Sequence, residues 1–155
     1  MRRFQRFARR LRDADGQSMM EAAIITPLVL LLTIGVFEFG AVFYVFLSLQ
    51  NGVSQATRYA ITGNVAGGAS RVDSIKLAMR SSTPTIAIPD SAFSFSHLPA
   101  GGTAFVGGVG APGEVEKVTI NYTWRFFTPL MRPFFPSGGL TMSVDSTMKN
   151  EPKFQ

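Results

Sequence analysis

Two carboxylates frame the most unusual part of this chain. Glu21 opens a long apolar run over residues 22–47, and Glu38 is the one charge that interrupts it. An ionised side chain at the centre of a membrane helix costs roughly 2.5–3.5 kcal/mol on insertion scales. A carboxylate at such a place is therefore a functional residue by default, and the chemistry open to it is pairing with a cation or a polar group on another helix. Glu21 and Glu38 lie 17 positions apart, or ~25 Å along a helix axis. That separation puts them near opposite faces of a hydrocarbon layer ~30 Å thick. For Glu38 two readings stand together: a solvated residue at the far boundary, or a helix-pairing group. Gly35 and Gly40 flank it and permit close helix approach.

Enzymatic chemistry has no comparable support. The chain has no cysteine, which excludes disulfides, thiol catalysis and Cys-zinc sites. His97 is the sole histidine. It shares an alternation with Phe93 and Phe95 and reads as a packed residue. Ser-His-Asp sets, zinc spacings and nucleophile elbows are absent from the sequence. Gly107-Gly108-Val109-Gly110 lacks the Lys-Ser/Thr pair of a phosphate loop. The expectation is a non-enzyme with no catalytic residue, no metal, no cofactor and no small-molecule substrate.

The element that must position the two carboxylates is a membrane helix. Residues 22–47 would extend ~39 Å as a helix, longer than a span requires. Secretory signals have apolar regions of ~7–15 residues with small residues at the cut, whereas this run continues into Phe43-Tyr44-Val45-Phe46-Leu47. The formal charge of +5 is concentrated ahead of it: residues 1–16 carry six arginines against Asp13 and Asp15, a net +4, and the remainder carries +1. Positive charge stays in the cytosol, so the C-terminal part is expected to be exported. Phe4, Phe7, Ala8 and Leu11 fall on one face of the leader, as in a helix lying on the inner leaflet. A nearly neutral remainder argues against a nucleic-acid partner. Pro27 removes one hydrogen bond inside the span and clashes with the carbonyl of Ala23, so a kink or local melt is expected there.

Beyond the span the helical pattern persists through Leu49, Val53, Ala56 and Ala60, with Thr62-Gly63-Asn64 as the stop. Asp73 to Arg80 reads as a short helix. Three segments then alternate with period two: Phe93 to His97, Val118 to Phe126 and Leu140 to Met148. Two turn regions separate them, Pro99 to Gly113 and Thr128 to Gly139. The fold class is α+β, a long N-terminal transmembrane and stalk helix followed by a short helix and a small antiparallel sheet packed on the stalk. The expected organisation is a leader over 1–16, a transmembrane and stalk helix over 17–62 with the span at about 22–41, and an exported domain over 63–155. The second turn region holds Phe127, Leu130, Met131, Phe134 and Phe135, unusually apolar for a loop. It either folds under the sheet or forms a contact surface.

These residues fit a known pattern. Gly16, four residues and Glu21 ahead of an apolar helix resemble the processing site of type IV prepilins. Met20-Glu21-Ala22-Ala23-Ile24-Ile25-Thr26-Pro27-Leu28, followed by Phe37-Glu38-Phe39-Gly40, resembles the TadE-like motif. Ala56-Thr57-Arg58-Tyr59-Ala60 resembles that family's small-small-Arg signature, and Met148-Lys149-Asn150-Glu151-Pro152 its close. Glu21 is followed by Ala22 rather than the Tyr of major Flp pilins, and Gln17 stands where ordinary type IV pilins have Phe. The resemblance implies a pilin-like minor pilin or pseudopilin of the tight-adherence (Flp) system in the bacterial inner membrane. It implies cleavage between Gly16 and Gln17 by a prepilin peptidase, and docking through Glu21 onto the N-terminal amine of a neighbour. Other pilins and the assembly platform are the implied partners. For the loop 127–135, unless it folds under the sheet, its apolar residues leave a neighbouring pilin or the membrane interface as the contact. A different class stays open beside it: an uncleaved single-pass inner-membrane protein with an exported binding domain.

Overall fold

The computed structural model describes the backbone of residues 2–135 and 138–154, and side chains from residue 16 onward. The apolar face expected of the leader, and Pro136 in the second turn region, lie outside the described residues. The architecture is α+β. Helix α1 covers Arg2–Ile61 and α2 covers Arg71–Ser82. Strands β1 (Phe93–Leu98), β2 (Val106–Gly107), β3 (Val115–Arg125) and β4 (Gly139–Lys149) form one antiparallel sheet in the order β2-β1-β3-β4. The short edge strand β2 falls inside the first Gly-rich turn region, where too few alternating residues exist to announce a strand.

The helix runs through Pro27 without interruption, so the local melt expected there does not occur. Only the N–H that proline lacks is lost, and the flanking turns carry the geometry onward. The stop is built as a glycine cap. Gly63 takes the left-handed conformation at φ 69°, and its N–H donates to the Ala60 carbonyl at 3.2 Å. A left-handed residue at this position returns the orphaned carbonyls of a helix end to hydrogen bonding.

The chain divides into two compact units, Met1–Gly40 and Ala41–Gln155. The first is helix alone. The second begins inside α1, whose remaining turns bury Val42, Val45, Leu49, Val53, Ala56 and Ala60. Their spacing of three and four residues places them on one stripe. Helix α2 starts at an N-cap, Ser70, whose hydroxyl accepts from the Asp73 N–H at 3.1 Å. It contributes Ile75 and Met79 to the core, while β3 adds Val118 and Ile120 and β4 adds Met142 and Val144. The alternation in β3 and β4 is that of a sheet with one covered face.

Two helices approach closely at Gly52. A Cβ at this position would lie 2.5 Å from Cγ2 of Thr83 and 3.5 Å from Met79. Gly52→Ala would on helix propensity alone stabilise the fold by ~0.5–1 kcal/mol, but overpacking a filled site costs ~1–3 kcal/mol. A net loss of stability is expected, readable as a lower urea midpoint. Adding Thr83→Ser, which removes the obstructing methyl, is expected to turn that loss into a gain. An unchanged midpoint in the single variant would show that the helices are not in contact here.

Candidate functional site: the apolar helix and its two ends

The residues singled out by sequence spread along α1 rather than gathering into a pocket. Gly16, Gln17 and Glu21 are all exposed. One turn apart, the Gln17 side-chain amide donates to Oε1 of Glu21 at 3.3 Å. From here the helix presents apolar side chains to its surroundings: Ile24 is 73% exposed, Leu28 64% and Phe37 76%. Thr33 satisfies its hydroxyl internally by donating to the Val29 carbonyl at 2.8 Å, which lets a polar side chain sit in this stretch. The helix over Gly16–Ile61 has a mean hydropathy of 2.2 in its most apolar window, and it is long and apolar enough to cross a membrane.

Around Glu38 the surface changes. Gly35 and Gly40 leave open space where a Cβ would stand. Glu38 between them is only 3% exposed, in contrast to Glu21. The solvated boundary reading of Glu38 does not describe this conformation. Further along, Arg58 is exposed in the last turn of α1, where a cation meets the partial negative charge of a helix end. The apolar loop splits in two. Met131 is buried and Phe135 half-buried, the latter 4.3 Å from the ring of Phe126, while Phe127, Leu130 and Phe134 stay exposed. Among the described residues no group of His, Cys, Asp and Glu is arranged to hold a metal ion.

Residues 16–58 match the family model described as TadE-like protein. This segment of the chain is TadE-like. Neither a curated protein nor a solved structure matches. The TadE-like family itself is associated with the Tad pilus. An apolar helix near the N-terminus is consistent with a single-pass membrane anchor.

Helix α1 is held at its C-terminal end by a polar cluster that no local sequence pattern announces. Arg71 donates from one guanidinium nitrogen to the Ala60 carbonyl at 2.9 Å and from another to the Gly110 carbonyl. Its guanidinium also lies 4.3 Å from the Phe154 ring. Glu116 is fully buried, and its Oε2 accepts the Gly110 N–H at 2.7 Å and stands 3.7 Å from Arg71. The tail closes the arrangement, with the Glu151 N–H donating to the Ile61 carbonyl at 3.0 Å. Asn150 fixes the loop by donating to the Ala111 carbonyl at 2.9 Å. A Cβ at Gly110 would strike His97 at 2.9 Å, so this loop must pass with no side chain. The expected ending Met148 to Pro152 therefore lies against the helix end that closes the motif.

Glu116 alone had a signal, in the β3 alternation itself. Glu116 has the same parity as Val118 and Ile120, so it belongs to the covered face, where a carboxylate requires partners. Burial is the leading influence on both charges. It pushes the Glu116 carboxyl above its usual value despite the Gly110 hydrogen bond and the nearby Arg71, and it lowers the Arg71 guanidinium despite Glu116. The Coulombic return therefore falls short of the desolvation cost, as is common for buried pairs.

A carboxyl held protonated to higher pH in the folded chain contributes stability below its unfolded value and loses it as pH rises through the folded value. Unfolding of the detergent-solubilised chain is accordingly expected to show stability declining as pH rises above the ordinary glutamate range. Glu116→Gln keeps the acceptor for Gly110 and should remove that decline. A slope unchanged in the variant would remove Glu116 as its source.

Proposed function

We propose that this chain is a minor pilin or pseudopilin of the tight-adherence pilus, a structural assembly protein without catalysis. The observation that carries the reading is the TadE-like match over residues 16–58, on a helix whose side chains from Gly16 to Leu30 are exposed. An apolar cylinder of this kind finds its solvent in lipid or among like helices. In this reading residues 1–16 are a cytosolic leader and the domain beyond the span faces the periplasm.

Processing falls between Gly16 and Gln17. Until that bond is cut, Gln17 contributes only a peptide nitrogen and an amide side chain, and the amide is what meets Glu21. Glycine weakens a helix interior by ~0.5–1 kcal/mol relative to alanine, so Gly16 is a favourable place for the helix to open to a peptidase. Cleavage creates an ammonium at Gln17. Glu21 then has a cationic partner on a neighbouring subunit, and pairing of the two fixes the axial register of one apolar helix against the next. Leaving either charge unpaired in lipid costs several kcal/mol, so wrong registers are disfavoured. Pro27, Gly35, Glu38 and Gly40 serve helix packing, and Arg58 belongs to the stalk.

Two variants test this reading. Gly16→Leu should leave an uncut precursor, seen as a slower-migrating band, whereas N-terminal sequencing of the wild type should begin at Gln17. A wild-type chain with its leader intact would instead support the uncleaved single-pass protein with an exported binding domain. Glu21→Ala should insert in the membrane normally but enter sheared pili about tenfold less or worse, since each ~1.4 kcal/mol of lost pairing is one factor of ten. Wild-type recruitment in that variant would remove Glu21 from the docking role.

A further inference from the structure

The second unit has a definite long axis, with contacts to α1 at both ends. At one end the tail after β4 reaches Ile61, and β3 begins there with Val115 opposite Lys149. At the other end Tyr122, Trp124 and Phe127 line a cavity of about 260 Å³ together with Ala41, Tyr44 and Val45. The lengths agree. Residues 41–61 of α1 rise ~31 Å, and the 11 residues of β3 extend ~36 Å. The strand therefore returns along the helix, and the loop that follows it is delivered to the level of Ala41. That level is where the second unit begins.

The loop at that level has an uncommon surface. Phe127 and Phe134 are 69% and 68% exposed, and Leu130 is 47% exposed. Phe43, Tyr44 and Leu47 of α1 are exposed as well. Arg125 and Arg132 are exposed beside them, and residues 121–143 contain no Asp or Glu. Arg132 is oriented by donating through Nε to the Phe126 carbonyl at 3.2 Å. Large apolar side chains beside arginines and an aromatic collar are the composition of an interfacial membrane surface. Arginine matches phosphate in both charge and geometry.

We infer that the β3–β4 loop is a second membrane contact, in which Phe127, Leu130 and Phe134 enter the headgroup region of the bilayer that α1 crosses while Arg125 and Arg132 meet lipid phosphates. The inference rests on reading α1 as a membrane span. The exposed Phe127 ring is itself braced, edge-on to the Trp124 indole at 5.0 Å.

The test uses the full chain in vesicles of phosphatidylethanolamine and phosphatidylglycerol containing lipids brominated high on the acyl chain. Trp124 is the one tryptophan, so Trp124→Phe gives a silent background for single reporters. In it, Phe134→Trp should be quenched by the brominated lipid at least threefold more than Phe105→Trp, a site whose ring packs near Lys117 at the other end of β3. Leu30→Trp reports the span itself. If Leu30→Trp is not quenched by deeply brominated lipid, the membrane reading of α1 falls and the loop contact with it. If it is quenched and Phe134→Trp is not, the loop contact alone is overturned. Aqueous acrylamide then tells which alternative holds: access means a solvated loop, and shielding means a protein partner such as a second copy. Phe127→Trp in the same background provides an independent position, so a folding defect in one variant does not decide the result.

Discussion

The second unit of this chain depends on one buried encounter, the Glu116 carboxylate with Arg71 and the Gly110 N–H. Arg71 opens α2, Glu116 lies in β3, Gly110 belongs to the loop before it, and Arg71 also holds the Ala60 carbonyl at the end of α1. Four segments distant in sequence are thus tied at one point. Burial disfavours both charges, so the pair is a poor source of net stability. Its contribution is specificity of arrangement, since few alternative packings would satisfy a buried carboxylate with the same partners. The glycines follow from it: Gly110 passes where no side chain fits, and Gly63 turns left-handed beneath the Phe154 ring.

A second constraint acts on the other unit, where packing is absent by design of the sequence. A helix with apolar side chains exposed on every turn from Met19 to Phe37 has no core of its own. Its backbone bonds are internal, and its side chains match lipid or other helices. The two carboxylates divide this surface into ends of different character. Glu21 is open and already holds a hydrogen bond from Gln17, whereas Glu38 is shielded.

How much of this was legible in the sequence depends on the range of the forces involved. The α1 stripe through Leu49, Val53, Ala56 and Ala60, the stop at Gly63, and the alternations of β3 and β4 are local patterns, and each appears where its period placed it. Edge strand β2 was hidden, because two residues carry no period and its pairing with Ser96 and His97 is set by β1. The Arg71–Glu116 cluster was hidden for a different reason. Parity alone put Glu116 on the covered face, but which cation answers it depends on loop closure over some 45 residues. The apolar loop was ambiguous because one segment does both jobs: Met131 is buried while Phe127 and Phe134 stay exposed.

That division within the loop bears on how force and register pass through the molecule. The second unit is closed on α1 at the Ile61 end by the Glu151–Ile61 backbone hydrogen bond and by Arg71, which holds the Ala60 carbonyl beside Glu116, and at the Ala41 end by apolar packing around Tyr44, Trp124 and Phe127. The first kind of contact is directional and cannot slide by a fraction of a residue. The second is non-directional and tolerates adjustment. Register within the second unit is therefore set at its Ile61 end, and compliance is left at its Ala41 end.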